Sequence, residues 1–536
     1  MSLPSQQTSV KIPKERRRSF MDYGGANSFN NFASSFSRAQ QYSGSSLMEQ
    51  FEDGRTASVR RYSYSPSNLL GGESSVSPLN EEAVVDDDLS RSGGSDRMEY
   101  FQFPQSSGGE VGDSESVIDE LTPLVPTISK QNSHKSFILR MGSSTSPQTI
   151  FNSINTLVGI GLLSIPFGFR LSGWVMGVLI LLGSASSTNL TARYLGRILK
   201  HHPHLLTYGD ISFAYGGKFF SILVTMFFVL DLIGAALTLI LLFTDCFVVI
   251  WPHPAGLKII IVSIVFFTSL LPLNILSIFS LLGILATMGI ILVVVVCGFI
   301  IDKSPGSLLD FAPTALFPAS AKNLLFSLGI FMMPWGGHPV FPELYRDMRH
   351  PQKFSHASNI SFSVTFMLDF AIGATGYLMY GSEVNDSIIK SLMQNVNYPS
   401  WINRALCLIM GILPISKLPL VTRPIISSYE NILRIAPHYN QKSISNKVLR
   451  VFARFLFCCL LLLIALLFTS FGKLMSFLGS AICYTVCLTL PLLFYLKLNK
   501  LQIGTLERNF IRAGIVVSIS CAVLGTYASI STETTK

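Results

Sequence analysis

The chain has 536 residues, of which 49% are hydrophobic and 13% charged, and its mean hydropathy is +0.46. Soluble domains carry roughly a quarter charged residues, so an ordinary water-soluble globule is excluded. The net charge of +9 divides into −4 over residues 1–146 and +13 over the rest, and this basic excess belongs to membrane topology rather than to nucleic-acid binding.

Residues 1–145 are rich in Ser, Gly, Asn and charge and lack a periodic apolar pattern. Such a segment buries too little surface to offset its chain entropy, so a disordered cytosolic tail is predicted, followed by a membrane domain over 146–536. The tail is basic over 1–61 and acidic over 62–146. Ser19, after Arg16-Arg17-Arg18, and Ser63, after Arg60-Arg61-Tyr62, suit basic-directed kinases. Glu120-Leu-Thr-Pro-Leu124-Val125 is close to an acidic dileucine sorting signal. Kinases and sorting adaptors are therefore candidate partners of a regulatory tail; chance matches in a solvated tail are the alternative. The polar N-terminus is unlike a cleavable signal peptide, so the first span is expected to direct insertion.

Apolar runs of about 20 residues mark spanning helices. Eleven are predicted, near 148–170, 173–193, 219–250, 257–272, 275–301, 321–343, 357–380, 402–432, 450–470, 473–496 and 511–531. With the tail in the cytosol, the loops on that side hold sixteen Lys/Arg and the opposite loops with the C-terminus hold eight, as the positive-inside rule requires. An odd number of spans places the C-terminus on the far side. Asn385-Asp-Ser387 is a glycosylation sequon in a loop assigned to that side. All eight cysteines fall inside apolar spans and read as core residues, not as a redox or metal site.

The first span carries Gly159, Gly161 and Pro166 near its middle, approached by Asn152, Ser153, Asn155 and Thr156. Close helix packing is one reading of paired glycines; a break is the other. A second interrupted run, Ser327 to Glu343, contains Pro334, Gly336, Gly337, Pro339 and Pro342, which do not sit in one continuous helix. Lipid cannot hydrogen-bond a backbone, so broken spans occur where they line a cavity, and in transporters they hold the substrate. Breaks in spans one and six imply an all-α polytopic membrane protein of two inverted five-helix repeats plus one extra helix. Unwound backbone offers N–H groups to a carboxylate and carbonyls to an ammonium. The candidate substrate residues are Asn155, Thr156, Gly159, Ile160, Gly161, Met333, Trp335, Gly336, Gly337 and His338. The last is either a structural tie to backbone or a pH sensor.

Intramembrane ionisable residues are costly and usually functional. Asp231 in span three is a candidate proton carrier, since burial favours the neutral carboxyl; a structural carboxylate bonded to a hydroxyl is the alternative. Lys417 in span eight offers a fixed ammonium where a bound cation would otherwise sit, or else a partner for a carboxylate. Asp369 in span seven is ambiguous. No phosphate loop, zinc spacing or hydrolase triad appears, so an enzyme is not expected. His201, His202 and His204 lack the Cys or carboxylate partners of a metal site.

Four runs carry a resemblance: Ser146 through Leu163; Trp335-Gly-Gly-His-Pro-Val-Phe-Pro342 with Asp347-Met-Arg-His-Pro351; Gly376-Tyr-Leu-Met-Tyr-Gly381; and Lys417-Leu-Pro-Leu with Arg423-Pro424. Over residues ~146–535 the chain resembles the amino acid/auxin permease family. The resemblance implies an eleven-helix LeuT-like fold with broken helices one and six. It further implies neutral amino acids as substrates, a vacuolar membrane location and no cofactor, the proton gradient being the driving force. Filling an acidic lumen would require proton antiport. Proton-coupled export, and amino acid sensing through the tail, are the alternatives.

Overall fold

The computed structural model describes residues 35, 142–270, 273–433, 435, 444–468 and 470–532, which belong to one compact unit. Ser19, Ser63 and the 120–125 signal lie outside the described residues. Apart from an isolated bridge between Ser144 and Met348, the regular elements among the described residues are helices. Eight are long and apolar enough to cross a membrane; Pro254–Ser269 and Leu285–Ile300 are shorter apolar helices.

Span one begins with α1 (Ser146–Leu157), capped by Thr145 and Gln148 in a reciprocal capping box. Helical geometry then fails: Val158 has ψ 88° and Gly159 is extended. A short 3-10 turn, Ile160–Ser164, leads into α2 (Ile165–His201). The end of the first predicted span and the second span fall on either side of a tight turn inside α2 at Gly173, where φ is +71° and the helix is interrupted. A Cβ there would lie 2.6 Å from the Leu316 carbonyl and from Phe317 N, so both backbone conformation and space require glycine.

The next helix, α3 (Tyr208–Phe247), starts well before the predicted span and is jointed at Gly217, φ +69°. Thr207 caps it with Asp210, a polar start signal that an apolar-run criterion passes over. Next come α4 (Pro254–Ser269) and α5 (Leu273–Ile300). Span six repeats the interruption of span one: α6 (Ala321–Met332), 3-10 turns Met333–Trp335 and His338–Val340, then α7 (Phe341–Asp347). The chain continues through α8 (Phe354–Tyr380), a short loop helix α9 (Ile388–Gln394) that the sequence reading did not include, α10 (Ser400–Ile432) and α11 (Ile444–Leu467). Three prolines, Pro414, Pro419 and Pro424, lie within α10. The tenth apolar run divides into α12 (Phe471–Phe477), a π-helical stretch Leu478–Thr489 and α13 (Leu490–Leu498); α14 (Thr505–Ser531) ends the described fold.

The π-helical stretch is mostly buried, whereas α11 and α14 expose rows of large apolar side chains such as Leu456, Leu460, Leu463, Val516 and Val523. The exposed rows are what lipid contact needs. Close packing of α6 on α12 and the π-helical stretch depends on two glycines: a Cβ on Gly479 would lie 1.9 Å from Gly329 O, and one on Gly329 2.0 Å from Ser476 O.

The ends of spans one and six are pinned together. Ser144 N donates to Asp347 O and Arg349 N to Ser144 O, while the Ser144 hydroxyl donates to the Asp347 carboxylate. Ser35, one residue of the N-terminal region, is buried at this junction, 2.6 Å from Ser144 Oγ and accepting from Asn152 Nδ2.

A buried ion pair ties three helices. Arg454 Nε donates to Glu430 Oε1 at 2.7 Å, and both Arg454 and Arg423 donate to Ser269 O at the C-terminal end of α4. That end carries the negative pole of the helix dipole. Replacing Glu430 with Ala leaves the Arg454 guanidinium buried without its counter-charge. A loss of about 3–5 kcal/mol in stability is expected, read as a large drop in the detergent melting temperature. An unchanged melting temperature would contradict this role.

Candidate functional site

Glycine content explains why both spans break where they do. Each glycine costs about 1 kcal/mol in a helix and Pro334 about 3, and both breaks concentrate such residues. The breaks also touch. A Cβ on Gly161 would lie 3.0 Å from Pro334 N and 3.1 Å from Pro334 Cα. One on Gly337 would lie 3.1 Å from Leu157 Cδ2 and Thr156 Cγ2. The two interruptions therefore clasp each other near the middle of their spans.

Beside this clasp lies a cavity of about 260 Å³, on the order of the ~300 Å³ at which small-molecule sites begin. Span one supplies Asn155, Thr156, Leu157, Val158, Gly159, Ile160 and Gly161; span six supplies Met333, Pro334 and Gly336. Asp231, Ala235, Thr238 and Leu239 form one face of α3, at the three-to-four-residue spacing of a helix surface. Lys417, Leu420 and Val421 enter from α10, and Cys483 from the π-helical stretch closes the wall.

Asp231 and Lys417 thus share one cavity, each partly exposed within it. Neither is in an ion pair among the described residues, where the pairs are Arg197–Glu507, Lys390–Asp386 and Arg454–Glu430. Lys417 packs its stem on α5, where a Cβ on Gly283 would meet Lys417 Cγ at 3.3 Å.

Three candidate residues from the second break do not line the cavity. Trp335 is fully buried and stacks on Phe362, ring centroids 5.6 Å apart at 9°. Gly337 faces Thr156 and Leu157, as above. His338 is fully buried, with Nε2 2.9 Å from Thr191 Oγ1 and 3.1 Å from Thr188 O. Its ring therefore joins the second break to α2, the arrangement of a structural tie. The Thr191 hydroxyl in turn donates to Cys487 O, extending the tie to the π-helical stretch.

Several lining residues escaped sequence reasoning. Ala235, Thr238 and Leu239 follow from the helical face of Asp231, a signal present but unused. Leu420 and Val421 lie one turn past Lys417. Cys483 carries no local signal, because its position depends on the π-helical register.

The sequon residue Asn385 is partly exposed, its Nδ2 donating to Gln394 Oε1 at 3.1 Å, whereas Ser387 of the same sequon is buried. His202 and His204 meet edge to face, ring centroids 5.8 Å apart. Among the described residues no group of three or more His, Cys, Asp or Glu is placed to hold a metal ion.

The arrangement suits a zwitterion. The C-terminal end of α1 ends in carbonyls that have no partner further along that helix; the turn after Gly159 starts a new helical segment, whose first N–H groups have no partner within that segment. The side chains lining the rest of the cavity combine small and apolar residues with the polar Asn155, Thr156 and Thr238 and the ionisable Asp231 and Lys417.

The chain is similar in sequence to known amino acid transporters. Amino acid transporter AVT1H of Arabidopsis thaliana is 27% identical over 391 residues, covering 71% of this chain and 88% of that protein. Amino acid transporter AVT1E of the same plant is 25% identical over 399 residues, covering 73% of each chain. Among solved structures, a manganese transporter of Eremococcus coleocola aligns with a TM-score of 0.46 at 11% identity, covering 72% of this chain and 88% of that one. The sequence profile of the family described as transmembrane amino acid transporter protein matches residues 142–531, and the chain belongs to that family, the amino acid/auxin permeases.

Proposed function

We propose that this protein is a secondary active transporter that moves neutral amino acids into the vacuole in exchange for protons. The observation that carries the reading is the cavity at the clasp of the two interrupted spans, where backbone from span one and the side chains Asp231 and Lys417 converge. The substrate's carboxylate would meet the N–H groups of the Ile160–Ser164 turn, and its ammonium the carbonyls ending α1. Asp231 and Lys417 would set the charge facing it and link its binding to proton movement. Met333, adaptable in packing, would accept varied side chains.

The remaining parts of the reading rest on sequence. Eleven spans arranged as two inverted repeats, an N-terminus in the cytosol and a C-terminus in the lumen follow from the apolar runs and the Lys/Arg asymmetry. The vacuolar membrane and the outward movement of protons follow from the family resemblance. Amino acids and protons are then the transported partners, lipid the solvent, and kinases and sorting adaptors the partners of the tail. No cofactor and no catalysed reaction are part of it.

The test is uptake of a panel of labelled amino acids by proteoliposomes with an acidic or a neutral interior. Neutral amino acids are expected to accumulate against their gradient only with the acidic interior. Efflux alone, driven in the direction of proton flow, would replace antiport by export. Saturable binding without gradient-driven flux in either direction would replace transport by sensing.

A further inference from the structure

One face of α8 carries Ser361, Thr365 and Asp369 at four-residue spacing, all fully buried. The face spans about 12 Å at 1.5 Å per residue. Ser361 Oγ donates to Ala357 O at 2.9 Å and lies 3.3 Å from Ile150 O of α1. Farther along, Gly373 packs on Ile165 and Phe169 of α2. Asp369 sits between these two levels, alongside the interrupted stretch of span one, and it does not line the cavity. Neither Asp369 oxygen, nor the Thr365 hydroxyl one turn away, meets a hydrogen-bond partner among the described residues.

Among the described residues, no charge lies beside Asp369 to balance a carboxylate. Elements packed on α8 include α1, the Ile160–Ser164 turn, α2, α5 and the flanking turns Pro351–Lys353 and Gly381–Glu383, whose Lys353 and Glu383 lie at opposite ends of α8. The first two have no ionisable side chain, and α5 has only Cys297. On α2, Arg170 is committed to Val384 O at 2.6 Å, while Arg193, Arg197, Lys200 and His201 lie toward its other end. His338 approaches α8 at Phe362 but is held by α2. On α8 itself the other such groups are His356, near its start, and Tyr377 and Tyr380, near its end. A carboxylate buried without a counter-charge is costly, and a proton is the simplest group that would balance it. The helix packed on the Ser361 end of the face, α1, is joined to the rest of span one by the non-helical Val158 and Gly159, and a joint of this kind lets it tilt.

We propose that Asp369 is a proton-binding site of this transporter, loaded while α1 seals the Ser361 end of the face and emptied to water when α1 tilts and opens the Ser361–Thr365–Asp369 row from that end. On loading, the carboxylate and a hydronium ion become a carboxylic acid and water; on emptying, the reverse occurs. The inference rests on the proton-coupled reading above and adds a residue outside the substrate cavity.

The test compares two assays in proteoliposomes of the full chain. Exchange of labelled for unlabelled amino acid needs no net proton movement; accumulation driven by a pH gradient does. Asp369→Asn is isosteric with the neutral acid and is expected to keep exchange while losing gradient-driven accumulation at least tenfold. Asp369→Glu, which restores a carboxyl, is expected to recover accumulation in part and keeps the test open if the Asn variant fails to fold. Accumulation by Asp369→Asn with wild-type pH dependence would overturn the proposal, as would parallel loss of exchange and accumulation in folded protein. Wild-type protein that ignores the gradient would instead overturn the proton-coupled reading itself.

Discussion

Gly161→Val is expected to lower transport by about 100-fold while leaving a folded, membrane-inserted protein. A Cβ at this position already lies 3.0 Å from Pro334 N and 3.2 Å from Pro334 Cγ. The nearest atoms include backbone of the opposite break, which cannot swing aside as a flexible side chain would. Valine adds two further methyl groups, so the breaks must separate. A misplacement of about 1 Å at a reacting or binding centre costs on the order of 10²-fold, and overpacking itself costs roughly 1–3 kcal/mol. The contrasting control is Gly183→Ala. Gly183 lies on α2 outside the cavity, and its Cβ would meet nothing within 4 Å. Transport near the wild-type rate is expected there. Initial-rate uptake in proteoliposomes checks both; equal activity of the two variants would mean that the clasp of the breaks is not the transport site.

Lys417→Met is expected to reduce proton-coupled flux at least tenfold, a loss of about 1.4 kcal/mol or more in the coupled step. Methionine preserves much of the side chain's length and its packing on Gly283, so the change isolates the charge. Lys417 has no carboxylate partner among the described ion pairs, and its ammonium is therefore available to the cavity rather than consumed in structure. If that ammonium stands in for a bound cation, Lys417→Thr, which supplies an oxygen ligand instead, is expected to recover flux in a sodium-dependent manner. Fully proton-coupled, sodium-independent transport in both variants would remove the cation-surrogate role.

The two breaks were legible because glycine and proline disrupt helices through backbone chemistry that needs no knowledge of the fold. Gly159, Gly161, Pro334 and Gly336 marked the positions, and the structure places all four on one cavity. Which residues of a break face inward was not legible. Trp335 and His338 sit in the same interrupted run as Met333, yet they point into packing against Phe362 and α2, and that choice depends on neighbours as far as 150 residues away. The π-helical stretch was hidden for a related reason. Leu478–Thr489 contains neither proline nor an unusual polar run, and its register is set by close approach to α6 at Gly329 and Gly479. Asp369 stayed ambiguous in sequence because one aspartate in an apolar run reads the same whether it is paired or isolated. The start of α3 at Tyr208 was missed since its first turns are polar and the capping signal at Thr207 lies outside the apolar run.

The most direct measurement is direct binding of amino acids and their truncated analogues to purified protein, with Gly161→Val as the reference. A site built from the opposed backbone ends of two broken spans requires both charged groups of the ligand. A neutral L-amino acid is expected to bind wild-type protein saturably, while its methyl ester and its deaminated acid bind at least tenfold more weakly, and Gly161→Val binds none of the three detectably. Equal affinity for all three ligands, or undiminished binding by Gly161→Val, would contradict the placement of the amino acid site at the clasp.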